Sequence, residues 1–210
     1  MPEFYFQAST GKYIEQSLYL WPLWFNFQNG AYLGYSVAPV MQRLTEPFQP
    51  LGITIAPGTY RYVFQEIWAS TDPSKIISIS GGYKWGAFYD GRLQSTDLTL
   101  QIAPIPHISI LAQFNRNNLQ KVGDLTGNKK VDLYIIQGRF ALNPRLQLIG
   151  FYQNNSLDHV QAYNVRFSWE YKPLSFLYLI YNHRAVNDPL SLVKQSDAHV
   201  MAKISYLRQL

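Results

Sequence analysis

The feature that most constrains how this chain can fold is a regular alternation of apolar and polar residues. It is clearest at 163–172, where Tyr163, Val165, Phe167, Trp169 and Tyr171 alternate with polar neighbours. Successive side chains of a β-strand point to opposite sides, so this period is typical of a strand with two different faces. Looser forms recur at 93–103, 108–115 and 199–206, and no stretch of comparable length has helical spacing. The sequence therefore predicts an all-β fold.

Twelve candidate strands follow from this pattern and from the turn residues between them. They are Glu3–Ser9, Tyr13–Gln28, Ala31–Leu44, Thr59–Ser70, Ile76–Ala87, Leu93–Ala103, Ile108–Asn117, Val131–Phe140, Leu146–Asn154, Ala162–Tyr171, Phe176–Asn182 and His199–Leu210. The odd-numbered gaps between them contain 58 residues, whereas the even-numbered gaps contain 20. Tight turns at one end and longer loops at the other are typical of an antiparallel up-and-down transmembrane β-barrel.

The composition favours lipid rather than water around such a barrel. Only 15% of the residues are charged, against ~25% in an ordinary soluble domain. Aromatic residues make up 16% of the chain and bunch toward the predicted strand ends, as in interfacial girdles. Several strands approach the ~9–11 tilted residues that span a bilayer. We therefore predict a single barrel domain of about 12 strands over residues 1–210. The alternative is a soluble β-barrel or sandwich that binds an apolar ligand inside.

Several other classes of protein are excluded. A transmembrane helix needs ~20 consecutive apolar residues, and the longest apolar run, Leu18–Phe25, is far shorter and contains a proline. The high aromatic content argues against intrinsic disorder. The chain has no cysteine, which excludes disulfides, thiolate catalysis and cysteine-bound metals. The net charge of +5 is thinly spread, and no nucleic-acid partner is expected.

Charged residues predicted to point into the lumen are the candidate functional residues. They are Arg61, Lys84, Asp97, Asp132, Arg166, Glu170 and Lys203, with Glu66 as a further carboxylate. In a wetted pore, rings of such charge bias ion selectivity. In a narrow barrel the same charges pair across the lumen and plug it, because unpaired buried charges are costly. Both interpretations stay open. The strands at 59–70 and 131–140, which carry Arg61 and Asp132, do not alternate cleanly.

No group of residues points to catalysis or to a cofactor. The four histidines lack metal-ligand spacing, and His159 and His183 are predicted to lie in solvated loops. His107 and Ser109 share a face and are the candidate dyad of a rim-active hydrolase, which is a further alternative. The aspartates of the loops are interpreted as turn formers, namely Asp90, Asp158, Asp188 and Asp197. We predict a non-enzymatic protein without a metal or cofactor.

An ordered set of segments carries a resemblance to a known family. The segments are Glu46–Phe48, Ile55–Arg61, Gly86–Gly91, Asn164–Pro173, Phe176–Asn182 and Lys203–Leu207. From about Trp24 onward, the chain resembles the C-terminal part of an uncharacterised family of bacterial surface proteins. In that family a carbohydrate-binding module of the family-9 type precedes an outer-membrane β-barrel. The resemblance implies a barrel and an outer-membrane location, and no activity. The N-terminal module is missing here, and the family's barrel portion is usually longer.

These observations predict an outer-membrane β-barrel that serves as a pore or as a surface anchor. Its expected partners are the lipid bilayer, or detergent, and small solutes or ions that pass through the lumen. The first residues, Met1–Phe6, lack the basic start, apolar run and cleavage site of a secretory signal peptide. We therefore expect a mature form or a piece of a longer protein.

Overall fold

A computed structural model describes residues 1–8, 11–187 and 195–207 of the chain. It contains one 3-10 turn, Pro50–Gly52, and thirteen strands: β1 Pro2–Phe6, β2 Tyr13–Leu18, β3 Leu20–Asn26, β4 Tyr32–Leu44, β5 Gly58–Ser70, β6 Ile77–Phe88, β7 Gly91–Ile105, β8 Ile108–Gln120, β9 Asn128–Asn143, β10 Leu146–Asn155, β11 Val160–Lys172, β12 Ser175–Val186 and β13 Gln195–Ile204. The predicted all-β fold is confirmed. In these described ranges, no helix has the length and hydropathy needed to cross a membrane.

All thirteen strands belong to one sheet, in which the spatial order of the strands follows their order in the chain. The exception is that β2 and β3 both pair with β4. The recorded pairings are antiparallel, so consecutive strands are joined by hairpins. Within the part of the chain that is described, no pairing joins β1 to β13.

The predicted strand Tyr13–Gln28 is two strands, β2 and β3, with Tyr19 between them. The register on either side pairs Ser17 with Val40 and Leu20 with Val37, which places Pro39 level with the break. Proline has no N–H to donate to a neighbouring strand. A register shift then follows between Leu20 and Leu23, where Pro22 lies. Prolines on both strands thus interrupt a ladder that the alternation alone predicts to be continuous.

Strand ends also differ from the prediction near the C-terminal hairpin. Strand β12 continues to Val186 rather than ending at Asn182, and β13 begins at Gln195 rather than at His199. Much of the predicted loop 183–198 is therefore strand, while residues 188–194 lie outside the described residues. The pairing of β12 with β13 continues past the predicted strand ends: Asn182 pairs with His199, His183 with Ala198, and the ladder reaches Val186 and Gln195. Polar residues at the pairing positions concealed this extension.

Glycines occupy two hairpin positions where another residue would be strained or would collide. Gly30 has φ of +84° in the β3–β4 hairpin, and the Asn29 side-chain oxygen accepts a hydrogen bond from the Ala31 N–H. Tyr89 and Asp90 form the turn between β6 and β7. A Cβ on Gly91 would lie 2.4 Å from the Lys121 carbonyl oxygen, so this position has no room for a side chain.

Contacts within the chain divide it into two compact units. The first comprises residues 1–73, 79–98 and 115–131, and the second comprises 74–78, 99–114 and residues from 132 onward. The first unit contains β1 to β5, most of β6 and the adjoining parts of β7 to β9. The second contains most of β9 and the continuous ladder from β10 to β13.

Candidate functional site

The sheet of the first unit has two chemically different faces. Glu66 lies opposite Ser36 on one side and Lys84 on the other, while Ile67 lies opposite Tyr35 and Tyr83 and points the other way. We call the side of Glu66 the polar face and the side of Ile67 the apolar face. Large side chains are exposed over the apolar face, among them Val63, Ile67, Ile79, Tyr83 and Leu98.

Small residues of β4 allow aromatic rings to lie close against the polar face. Gly34 pairs with Trp68, and a Cβ at this glycine would lie 2.4 Å from an atom of the Trp68 ring. Ser36 and Ala38 are buried in the same row. Trp24 meets Trp68 edge to face, with ring centroids 5.7 Å apart. The polar face is thus lined by aromatic rings as well as by charges.

Three of the charged side chains on this polar face belong to neighbouring strands. Lys84 Nζ lies 3.6 Å from Glu66 Oε2 and 4.8 Å from the centre of the Phe64 ring. The side chains of Lys84 and Glu66 are 37% and 30% exposed, respectively, so water still reaches this ion pair. The Asp97 carboxylate lies against Gly82, because a Cβ there would be 2.9 Å from Asp97 Oδ1. The structure therefore places Lys84 and Asp97, both predicted lumen residues, on one face with Glu66.

The second unit repeats the division into two faces. Arg166 and Glu170 of β11 share one side, with Asn164 between β10 and β12, whereas Val165 and Trp169 share the exposed other side. We call these the polar and apolar faces of the second unit. Lys203 pairs with Tyr178 and lies on the polar face.

Arg166 and Glu170, two of the predicted lumen charges on the polar face of the second unit, have different surroundings. Arg166 lies between Ile149 and Ile180, and the described residues provide it with no acidic partner. Glu170 Oε1 accepts a hydrogen bond of 2.9 Å from the Leu174 N–H, so this carboxylate holds the turn between β11 and β12. The Asn164 side-chain amide donates to the Asn182 side-chain oxygen across the same strands.

Arg61 and Asp132 lie on the apolar faces of their units. Arg61 pairs with Met41 and is five positions from Glu66, so it points the other way. Asp132 shares its side of β9 with Ile136 and Phe140, which are 48% and 44% exposed. Its N–H donates to Ser156 Oγ at 2.7 Å. Arg61 is thus on the opposite face from Lys84 and Asp97, and Asp132 is on the opposite face from Arg166, Glu170 and Lys203. The strands that carry Arg61 and Asp132 are the two whose alternation is imperfect.

The hydrophobic core of the first unit lies at one end of its strands. Its buried members come from three connections and one strand end, and they are Ile53, Ile55, Tyr89, Leu119 and Val122. Tyr60, Tyr62, Phe88 and Leu93 pack against them from the polar face. We call residues 45–57, the Tyr89–Asp90 turn and residues 121–127 the cap, and this end of the strands the cap end.

Polar contacts fasten the segments of the cap to one another. The Thr54 N–H donates to Asp124 Oδ1 at 2.8 Å, and the Asp124 N–H donates to the Thr54 carbonyl at 3.0 Å. The Gly123 N–H donates to Asp90 Oδ1 at 2.8 Å. Lys129 Nζ donates to the Gly52 carbonyl at 2.6 Å. The hydrogen bond from Thr54 lowers the pKa of the Asp124 carboxyl.

A hydrogen-bonded chain joins the cap to the polar face. The Tyr89 hydroxyl donates to Gln42 Oε1 at 2.8 Å, and Gln42 Nε2 donates to Glu15 Oε2 at 3.1 Å. Burial and the nearby charge of Glu15 raise the pKa of Tyr89 to about 12. A tyrosine hydroxyl is protonated at neutral pH and so acts as a donor here, and the raised pKa extends this state into alkaline solution.

The cap was missed from the sequence, where 45–58 was a gap between strands. A signal is present in hindsight. Leu51, Ile53 and Ile55 alternate within a proline-containing segment that is too short to pair as a full strand. Such apolar residues in a loop need a buried surface elsewhere in the molecule. Leu119 and Val122 flank the other contributing loop, and they were not predicted to be buried.

The histidines and aspartates singled out from the sequence are dispersed. His183 lies within β12 rather than in a loop, and its Nε2 is 3.0 Å from Ser196 Oγ. His159 occupies a turn with φ of +52°. His107 Nδ1 lies 2.7 Å from the Ala141 carbonyl oxygen, so one nitrogen of the candidate dyad is already engaged. In the described ranges, no group of three His, Cys, Asp or Glu residues is arranged to hold a metal ion.

The loop aspartates differ in outcome. Asp90 and Asp158 lie in turns, as predicted, and Asp158 Oδ2 accepts a hydrogen bond of 2.8 Å from the Asn155 amide. Asp197 lies in β13 opposite Arg184, so its assignment as a turn former is wrong. Asp188 lies outside the described residues.

Comparison with known proteins returned no matching family model, no matching curated protein and no matching solved structure. The resemblance to surface proteins with a carbohydrate-binding module therefore stays a prediction.

Proposed function

We propose that the chain is an outer-membrane β-barrel that acts as a narrow pore, partly closed by the cap. The observation that carries this proposal is the exposure of an entire apolar face in each unit. In the second unit Leu148, Val165, Trp169, Leu179 and Tyr181 are each at least 40% exposed. Monomeric soluble proteins rarely expose contiguous apolar patches larger than a few hundred Å². A bilayer would cover the apolar side chains of both faces.

The length and pairing of the strands support the same proposal. Strands β4 to β13 contain 10 to 16 residues each, and ~9–11 tilted residues cross a bilayer. Strands β1, β3 and β13 each have one partner strand in the sheet. Unpaired N–H and C=O groups are not tolerated in hydrocarbon, so membrane insertion requires that these edges pair.

The polar faces supply the lining that a pore needs. Lys84, Glu66 and Asp97 in the first unit, and Arg166 and Lys203 in the second, are the charges that would bias the passage of ions. The aromatic rings beside Gly34 and Ser36 narrow the available cross-section. We therefore expect small solutes or ions, rather than large substrates, to pass.

A surface anchor is the second candidate, and the cap favours it. The buried residues Ile53, Ile55 and Leu119 pack on the polar-face side at the cap end, where they would obstruct a lumen. A barrel that is fully obstructed holds a partner at the membrane without conducting.

The deciding experiment is recording of single-channel current in a planar bilayer with detergent-purified protein. The pore predicts discrete conductance steps, and these steps become larger when the cap is loosened. Insertion without conductance, in the wild type and in cap variants, would favour the anchor. Full solubility of a folded monomer in buffer without detergent would contradict both and favour a soluble protein with an internal ligand site. Hydrolysis of ester or peptide substrates that is lost in Ser109→Ala would favour the rim-active hydrolase.

A further inference from the structure

Three arginines of the first unit lie on its apolar face at the cap end. Arg61 is the fourth residue of β5 and pairs with Met41 of β4. Arg43 lies two residues beyond Met41, closer to the cap, and pairs with Thr59. Arg92 is the second residue of β7 and lies on the side of Leu98, whose side chain approaches Gly81 on the apolar face. All three are exposed. We call Arg43, Arg61 and Arg92 the basic rim.

Carboxylates are confined to the opposite face of the same strands. The four acidic residues of β1 to β7 are Glu3, Glu15, Glu66 and Asp97. Glu3 pairs with Ser17, and Glu15 pairs with Gln42, which puts both on the polar face with Glu66 and Asp97. The apolar face of these strands therefore carries three positive charges and, within the described residues, no negative charge. Acidic residues near the basic rim, Glu46 and Asp90, lie in the adjoining loop and turn rather than on this face. The positive potential of the face attracts anions.

A groove on the apolar face runs beside Arg61. It has a volume of about 380 Å³, and its lining consists of Gln16, Leu18, Pro39, Met41, Arg61 and Val63 of the apolar face together with Val40 and Tyr62. Most of this lining is apolar, and the guanidinium of Arg61 is the charged group among these residues. The groove thus combines a surface suited to a hydrocarbon chain with a group suited to an anion.

We propose that the basic rim binds the phosphate of an anionic phospholipid, whose acyl chain lies in the groove beside Arg61. This inference rests on the proposed function, because it requires the apolar face to contact a bilayer. Arginine is costly at the bilayer midplane but costs little near the headgroups, which is where the cap end would lie. Its planar guanidinium matches two phosphate oxygens at once. A free phosphate would gain nothing from Leu18, Met41 and Val63, so the groove favours the lipid.

The test measures lipid binding by native mass spectrometry of protein in a neutral detergent. The probes are dioleoyl phosphatidylglycerol and, as the uncharged comparison, dioleoyl phosphatidylcholine. In the variant Arg43→Gln/Arg61→Gln/Arg92→Gln we expect phosphatidylglycerol to bind roughly tenfold more weakly or worse, with phosphatidylcholine unchanged. The matched control is Arg139→Gln/Arg145→Gln/Lys172→Gln, which removes the same charge elsewhere in the chain and should bind as the wild type does.

The inference is overturned if the rim variant binds phosphatidylglycerol like the wild type, or if the control loses as much affinity. Displacement of the lipid by millimolar inorganic phosphate would also overturn it, since the site would then recognise phosphate without the acyl chain. If the triple variant does not fold, Arg61→Gln and Arg61→Lys are compared, and lysine should retain only part of the affinity. Failure of the wild type to enter a bilayer would refute the proposed function instead, so the two failures are distinguishable.

Discussion

Thr54 and Asp124 hold each other by a reciprocal pair of hydrogen bonds, although they are 70 residues apart in the chain. The Asp124 carboxylate accepts from the Thr54 N–H at 2.8 Å, and the Thr54 carbonyl accepts from the Asp124 N–H at 3.0 Å. This pair joins the segment that carries Ile53 and Ile55 to the loop that carries Val122. The cap therefore depends on a carboxylate as well as on apolar packing.

We predict that Asp124→Asn loosens the cap and removes the pH dependence of cap closure. The folded-state pKa of Asp124 lies below the ordinary carboxyl value, so the charged form stabilises the closed cap. That stabilisation is complete above the unfolded-state pKa and is lost as the pH falls through the lower folded-state value. Tryptic cleavage after Lys121 at neutral pH should be faster in the variant, and the channel should open in acid only in the wild type. Thr126→Ala is the control, and equal cleavage rates would contradict the prediction.

Gly123→Ala should disrupt the cap more severely than the loss of one hydrogen bond. Gly123 has φ of +59°, and a Cβ there would lie 2.2 Å from the Thr54 carbonyl oxygen. Both the strained backbone and the collision destabilise the closed cap, by about 1–3 kcal/mol. Thermal unfolding in detergent measures the change. Gly127→Ala is matched in chemistry and has no atom within 4 Å of its added Cβ, so an equal effect there would refute the explanation.

Tyr89→Phe should lower the free energy of unfolding by about 1 kcal/mol. The substitution removes the hydroxyl that donates to Gln42 Oε1 at 2.8 Å and leaves the ring in place against Tyr60 and Phe88. Denaturant unfolding followed by tryptophan fluorescence provides the measurement. Tyr163→Phe removes a hydroxyl from an exposed side chain and serves as the comparison. An equal change in both variants would show that the Tyr89–Gln42 contact contributes little.

Glu66→Gln should make the pore more selective for anions. The substitution removes one negative charge beside Lys84, whose Nζ lies 3.6 Å from Glu66 Oε2, on the face proposed to line the lumen. The reversal potential under a salt gradient reports the shift. Asp132→Asn makes the same chemical change on the apolar face and should leave the reversal potential unchanged. A larger shift of the reversal potential in Asp132→Asn than in Glu66→Gln would mean that the apolar faces, rather than the polar faces, line the lumen.

Closure of the sheet between β1 and β13 is testable because the chain has no cysteine of its own. Phe4 pairs with Gln16 and lies on the apolar face of the first unit, while Val200, Ala202 and Ile204 of β13 lie on the apolar face of the second unit. In membranes we expect Phe4→Cys to form an intramolecular disulfide with a cysteine at one of these three positions. A cysteine at Met201 points to the other face and should not react. Intermolecular dimers alone would indicate that the edge pairs with a second copy.

The strands with clean alternation were predictable, because apolar residues recur there at every second position, which is the period of a β-strand. Residues 163–172 lie within β11, and Arg166 and Glu170 share the face that the pattern assigns to them. The faces of Arg61 and Asp132 were not predictable from local pattern, because in β5 the polar face also carries Tyr62, Phe64 and Trp68. Aromatic residues are found on either face of such a sheet, so their position in the alternating pattern does not show on which face a neighbouring charged residue lies.

The interruption at Tyr19 and the cap depend on contacts that sequence spacing does not reveal. Pro39 lies about twenty residues after the break at Tyr19, and only the register shows that the two are level with each other. Likewise, Ile53 and Ile55 are buried by Leu119 and Val122, and these segments are joined by the hydrogen bonds between Thr54 and Asp124. Local propensity cannot specify such distant partners.

The order of strands in the sheet has a consequence for how the chain assembles. Each strand pairs with its neighbour in the chain, so successive hairpins close short loops at low entropic cost as the polypeptide becomes available. Ile53 and Ile55 are covered only after Tyr89, and later Leu119 and Val122, have been synthesised, so the cap joins segments that are far apart in the chain. A chain stalled before β8 leaves Ile53 and Ile55 uncovered, and chaperones bind such surfaces. A completed first unit therefore differs from an unfinished one in that Ile53 and Ile55 are buried under a closed cap.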